Sequence, residues 1–200
     1  EGNQMKSVPN NWAQSTGNKI MGSFQWSGYD IDFNAPGHND LYTLDMGVNL
    51  MVYHCRTYYF ETTGKGTGNN YHYLYLNQYA FNQDGQIVVN PNRYAYEWLR
   101  PIDKDELLDK SNGNYKLIIL NSATTNQKSV SIKLNQDGTI SGGKSGTWEH
   151  NGENYITLII DSTTYKGVIM PAWLQEENAT GITISAVSSG GMALYMNMEL

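Results

Sequence analysis

Charge is scarce in this 200-residue chain. Asp, Glu, Lys and Arg together make up 16% of it, against roughly 25% in an ordinary soluble domain. Polarity falls instead to Gly, Asn, Ser and Thr. The 13 basic residues form no cluster and the formal net charge is -6, which argues against a surface that tracks nucleic-acid phosphates. No stretch reaches the roughly 18 consecutive apolar residues that a membrane helix needs. The one cysteine, Cys55, cannot form an internal disulfide; inside an apolar run it reads as a small buried residue. His-x-x-x-His, Cys-x-x-Cys and Gly-x-Ser-x-Gly arrangements are all missing, so zinc-enzyme and serine-hydrolase readings lack support. No signal peptide opens the chain, and a start at Glu1 without an initiator Met fits a mature or truncated product.

What is present points to turn-rich β structure. Fifteen Tyr and five Trp suit pleated, half-buried surfaces, while Gly and Asn supply turns. Tyr73, Tyr75, Asn77, Tyr79 and Phe81 alternate with Leu74, Leu76, Gln78 and Ala80, which predicts a strand with one aromatic or polar face and one aliphatic face. A turn at Asn82–Gln86 then leads into Ile87-Val88-Val89, with Asn90-Pro91 ending that strand. Hairpins of this kind, repeated radially, build propeller blades. Strand-like runs at Ile20–Trp26 and Leu50–Arg56 flank a loop, Asn34-Ala35-Pro36-Gly37-His38-Asn39-Asp40, in which Pro and Gly bend the chain to present one imidazole.

The composition shifts near residues 96–112. Charge concentrates between Trp98 and Lys110, where Pro101 and Asn112-Gly113 bracket a predicted helical turn or two. From Gly113 onward, runs at Tyr115–Leu120, Ser129–Leu134, Gly146–His150, Tyr155–Ile160, Thr164–Met170, Ile182–Val187 and Ala193–Met198 follow at hairpin spacing. Asp137-Gly138, Asn151-Gly152 and Gly190-Gly191 punctuate them. This half reads as a small antiparallel barrel or sandwich.

These pieces, in this order, resemble the C-terminal portion of the endo-arabinanases of glycoside hydrolase family 43. Gly17–Trp26 is similar to the strand before that family's histidine loop, Ala35-Pro36-Gly37-His38-Asn39 to the loop, and Val52-Tyr53-His54-Cys55-Arg56 to the strand after it. Phe81–Gly85 and Pro91–Ala95 look like the last blade. Gly113-Asn114-Tyr115, Leu134–Gly142 and Gly146–Glu149 resemble the appended lipocalin-like barrel. The resemblance implies an all-β chain: 1–97 as the C-terminal part of a five-bladed β-propeller, 98–112 as a linker, and 113–200 as a small antiparallel β-barrel. It also implies an inverting hydrolase of arabinan or a related arabinose-containing polysaccharide, secreted, periplasmic or on the cell surface. The alternative is a noncatalytic carbohydrate-binding or accessory protein. A third reading, a hollow barrel for an apolar ligand, is opposed by enough bulky residues to fill a small barrel, among them Trp148, Tyr155 and Leu158.

The resemblance brings His38 to the propeller centre, beside a hydrated ion assigned as calcium. Calcium prefers oxygen, so one imidazole implies a shell completed by water. No acidic position here matches the family's catalytic carboxylates, which are expected upstream of Glu1, so this chain is expected to carry no catalytic residue and to be inactive alone. After His72 the family carries an acidic and a basic residue where this chain has Tyr73 and Tyr75. Tyr53, Tyr58, Tyr59, Tyr71 and Tyr73 are candidates to stack on sugars, although core packing is the more usual fate of any single Tyr. The loop Thr62–Asn70 is a candidate overhang above a cleft. His54 and His72 read as packed or hydrogen-bonded strand residues and His150 as solvated.

Overall fold

A computed structural model describes residues 18–56, 72–120 and 126–200. It contains a six-stranded sheet and a closed eight-stranded barrel. The sheet runs β5-β4-β3-β2-β1-β7, from β1 (Phe24–Gln25), β2 (Asp32–Thr43), β3 (Asn49–Arg56), β4 (Tyr73–Phe81), β5 (Ile87–Arg93) and β7 (Gln127–Lys128). β2 to β5 form an antiparallel meander. The barrel comprises β6 (Asn114–Leu120), β8 (Val130–Leu134), β9 (Thr139–Gly142), β10 (Gly146–His150), β11 (Tyr155–Ile160), β12 (Thr163–Leu174), β13 (Ala179–Ser188) and β14 (Ala193–Met198).

The alternation in β4 places its side chains on two faces, but burial divides the strand along its length, with residues 73–76 at least partly open to water and residues 77–80 buried on both faces. Asn77 and Tyr79 are buried, whereas Leu74 is 70% exposed and Leu76 is also exposed. β5 continues through Asn90-Pro91 to Arg93 instead of stopping there. A register shift between Asn77 and Tyr79 of β4 accommodates the extra residues of β5, and a bulge is where a strand tolerates proline. Of the Ile20–Trp26 run, only Phe24–Gln25 is a strand, and Lys19 makes a single bridge to Met192.

Helix α1 (Lys104–Asp109) begins later than Pro101 suggested, because the Asp103 side chain accepts from the Glu106 N–H at 2.8 Å and acts as the cap. After it, Asn112 and Gly113 both adopt positive φ. At Gly113 a Cβ would come within 2.2 Å of Leu134 O. Leu134 N donates to Gly113 O there, which starts the barrel. Ile102 and Leu107 are fully buried against the barrel core, and the Tyr115 hydroxyl donates to Leu107 O at 2.9 Å.

The barrel is filled, with Leu117, Leu158, Tyr165, Ile184, Leu194 and Met196 among its interior. Alternation sends the neighbouring residues outward, where the sheet covers many of them. Ile118, Leu120, Ala193 and Tyr195 share a core with Phe24, Met51, Tyr53 and Cys55. Val168, Met170 and Val187 share another with Ala80 and Val88. Cys55 is buried as expected, and burial raises its pKa to about 12.

A polar network runs along this seam. Asn92 Nδ2 donates to Asn197 Oδ1 at 2.9 Å, and Asn197 Nδ2 donates back to Asn92 Oδ1 at 2.8 Å. Asn197 Oδ1 also accepts from Thr183 Oγ1, and its Nδ2 also donates to Glu176 Oε1 at 2.7 Å. Among the described residues Glu176 Oε2 is buried without a partner.

Asn197→Ala removes four bonds and leaves buried partners unmade, so it should destabilise the chain by about 3 kcal/mol, measured by urea denaturation. Burial raises the Glu176 pKa, opposed by its bonds to Asn197 and the backbone and by the charge of Lys116. The folded chain therefore keeps a proton that the unfolded chain has released. Stability should fall as pH climbs from the ordinary glutamate value through the raised one. Glu176→Gln should remove that slope, so that the Tm advantage of the variant grows as pH rises above the ordinary glutamate value of about 4.

Candidate functional site

The segment around His38 is part of β2, where a loop was expected. Two register shifts against β3, between Asn34 and Gly37 and between Gly37 and Asp40, break the ladder there. Ala35 and His38 take φ values of 47° and 52°, the left-handed region that few side chains occupy. Such bulges re-aim side chains. His38 is exposed, with its ring centroid 6.1 Å from that of His54. His54 in turn lies 4.4 Å from His72, edge to face. Arg56 Nε donates to His72 Nε2 at 3.1 Å, so that nitrogen carries no proton. Desolvation, then the charges of Arg56 and His54, lower the His72 pKa.

This row of three imidazoles and a guanidinium joins residues that the sequence kept apart. The available signal was the period-two spacing of His54 and Arg56 on β3, with His72 at the start of β4. His150, expected in solvent, is half-buried: Nε2 bonds Ile102 O at 2.7 Å, and Nδ1 accepts from Gly152 N. The Asn151-Gly152 turn folds it back onto the segment entering α1.

Beside the bulge lies a cleft of about 190 Å³, lined in part by Asn18, Lys19, Gly37, Asn39 and Tyr53. Amides, an amine and a phenol are groups that bond sugar hydroxyls. Burial, then Cys55, raises the Tyr53 pKa well above its ordinary value, so the phenol stays neutral. No Asp or Glu among the described residues lines this cleft.

Tyr75 stacks on Tyr53 with centroids 5.7 Å apart and meets Phe33 edge-on, so it belongs to the seam core. Tyr73 sits on the same strand nearer solvent. Tyr58, Tyr59, Tyr71 and the loop Thr62–Asn70 lie outside the described residues.

Calcium chemistry meets His38 on limited terms. No cluster of three or more His, Cys, Asp or Glu among the described residues could hold a metal. Asp40 Oδ1 accepts from the Leu41 N–H. The exposed His38 imidazole therefore fits an ion only as a single nitrogen in a shell otherwise made of oxygen.

Comparison with known proteins follows the same lines. The profile of the glycoside hydrolase family 43 C-terminal lipocalin-like domain matches residues 91–196, just over half of the chain. An extracellular endo-α-(1→5)-L-arabinanase of Thermotoga petrophila is 32% identical over 191 residues, covering 90% of this chain and 38% of that protein. Extracellular endo-α-(1→5)-L-arabinanase 2 of Bacillus subtilis is 28% identical, covering 90% and 37%. The family 43 glycoside hydrolase YxiA of Bacillus licheniformis superposes with a TM-score of 0.79 at 31% identity, over 90% of this chain and 38% of its own. The Thermotoga petrophila endo-1,5-α-L-arabinanase bound to TRIS also gives 0.79, at 29% identity over 92% and 40%. The chain thus spans well under half the length of the curated relatives it matches. With its closed barrel, its seam and this match across 91–196, the chain belongs to the glycoside hydrolase family 43 C-terminal lipocalin-like domain family.

Proposed function

We propose that this chain works as the C-terminal portion of an inverting glycoside hydrolase that cuts arabinan or a related arabinose-containing polysaccharide. The observation that carries this reading is the similarity to extracellular endo-arabinanases across 90% of the chain, against only 38% of the first relative's length. Inversion needs an acid and a base roughly 6.5–9.5 Å apart around the bond and a water. In this reading both come from an upstream segment, and the chain alone is inactive. The reading includes a secreted or cell-surface location, by analogy with relatives named extracellular.

The upstream segment also accounts for an exposed apolar face. Leu74 and Leu76 stand on β4 beside half-buried Val52 and His54 of β3. A second blade-like sheet laid on this face would remove it from water, at about 25 cal/mol for each Å² covered. The same reading divides the chain into a propeller portion (1–97), a linker (98–112) and a barrel domain (113–200). The short helix and extended residues that intervene support this division. The mixed cores at the seam make the two parts one packed unit.

His38 would give one ligand to a calcium ion held mainly by water, at the sheet end where the polar cleft lies. The bound ion supplies positive charge, which lowers the pKa of nearby carboxylates. Asn18, Asn39 and Tyr53 would bond sugar hydroxyls beside it.

The purified 200-residue chain should release no reducing sugar from debranched arabinan. Adding the N-terminal part of the Thermotoga petrophila relative as a separate polypeptide should restore release, and early product analysed by proton NMR should carry the inverted anomeric configuration. Turnover by the chain alone, abolished by changing one of its own Asp or Glu residues, would overturn the reading. In the reconstituted pair, His38→Ala should cut both calcium occupancy and rate by tenfold or more, roughly the effect of losing about 1.4 kcal/mol. Leu74→Ser with Leu76→Ser should block association without altering the far-ultraviolet circular dichroism of the chain.

A further inference from the structure

A second cleft, of about 360 Å³, opens where the sheet meets the barrel. Its size falls within the roughly 300–1,000 Å³ of ordinary ligand sites. Val48, Ala80 and Val168, all buried, lie among its walls. At its rim stand Trp98, 53% exposed, and Phe81, 45% exposed. An indole left this open is uncommon, because Trp is highly buried on average.

Gln78 completes the arrangement. The residue is only 3% exposed and lines the cleft, and its Oε1 is buried with no hydrogen-bond partner among the described residues. An unmade buried carbonyl costs about 1–3 kcal/mol, a cost that a donor arriving with a ligand removes. Oε1 is itself closed to water, and the terminal torsion of a glutamine side chain is broad, so a ligand hydroxyl would meet it after rotation of the amide. The ligand class follows from the surroundings. Among the described residues no Lys or Arg lines the cleft, and Glu153 does, which disfavours phosphates and acidic sugars. Exposed aromatic faces beside an acceptor suit a ring with apolar C–H faces and hydroxyl edges.

The cleft is separate from the His38 region. Gln78 pairs with Leu50, whereas His54 pairs with Leu74, four residues back along β4. That spacing is about 13 Å at roughly 3.3 Å per strand residue.

We propose that this cleft is a second glycan-binding site, holding one ring of a neutral polysaccharide chain with its C–H face on Trp98 and a hydroxyl donating to Gln78 Oε1. It goes beyond the hydrolase reading, since it holds substrate away from the site of cutting and needs no carboxylate.

The test is affinity electrophoresis of the full chain in separate native gels containing debranched arabinan, linear galactan or xylan. At least one polysaccharide should retard the protein. Trp98→Ala should weaken that retardation about tenfold or more, the factor matching about 1.4 kcal/mol. Gln78→Leu should weaken it about fivefold, as loss of one neutral hydrogen bond implies. Its Tm should equal or exceed that of the parent, because an apolar isostere leaves no carbonyl unmade. A merely structural role for Gln78 would lower Tm instead and overturn the assignment. So would retardation by none of the three, or retardation that survives both substitutions. A dimer in gel filtration that Trp98→Ala dissociates would assign the cleft to a second copy of the chain and also overturn it. These outcomes are read from binding alone, so they stand or fall independently of sugar release by the reconstituted hydrolase.

Discussion

Two carboxamides that bond each other in both directions, Asn92 on β5 and Asn197 on β14, hold the sheet in register over the barrel. Both are essentially removed from water. Inside an apolar seam an unmatched amide is costly, so each needs the other in one geometry. A one-residue slip of β5 would turn Asn92 away from Asn197 and point apolar side chains at polar ones. The surrounding apolar contacts supply most of the adhesion, but they are non-directional. The amides select which of many apolar contacts is made.

That choice explains why β14 is buried on both faces. Leu194, Met196 and Met198 fill the barrel, while Ala193 and Tyr195 face the sheet and Asn197 joins the polar network. β5 is similarly sandwiched, with Val88 in one core and Ile87 and Val89 in another. Further bonds support the seam: Asn82 Nδ2 donates to Lys166 O, Lys166 pairs with Asp84 at 2.7 Å, and the Tyr195 hydroxyl donates to Ile20 O at 2.6 Å. The exposed Lys166–Asp84 pair adds little; the buried donors matter more. A rigid seam of this kind holds both clefts, since one lies at its margin and the other depends on the sheet that it anchors.

The bulges of β2 work in the opposite sense. Ladder bonds are given up between Asn34 and Asp40, and two non-glycine residues adopt left-handed backbone conformations. A position that sets aside pairing and conformational preference to project one imidazole is consistent with a functional role. The anchored seam and the loosened bulge belong to one sheet, so rigidity and display are divided between its ends.

Much of the architecture was legible in the order of residues. Strict alternation marked β4, hairpin dipeptides marked the barrel strands, and the family likeness covered the segments on both sides of residues 98–112. These signals are local: a period of two and a turn residue act within a few positions of the chain. The sequence alone also singled out His38 and excluded phosphate-tracking and disulfide-dependent readings. It could not decide which stretch of β4 meets water, because alternation separates two faces without saying what covers them at each end. Nor could it foresee that His150 would turn inward to Ile102 O, that β5 would run through Pro91, or that His54, His72 and Arg56 would form a row with His38. Each depends on partners far away in sequence, brought together only when barrel and sheet dock. The unmet carbonyl of Gln78 is the clearest case, since a hydrogen bond that is lacking has no signature in the chain and exists only in the packed structure.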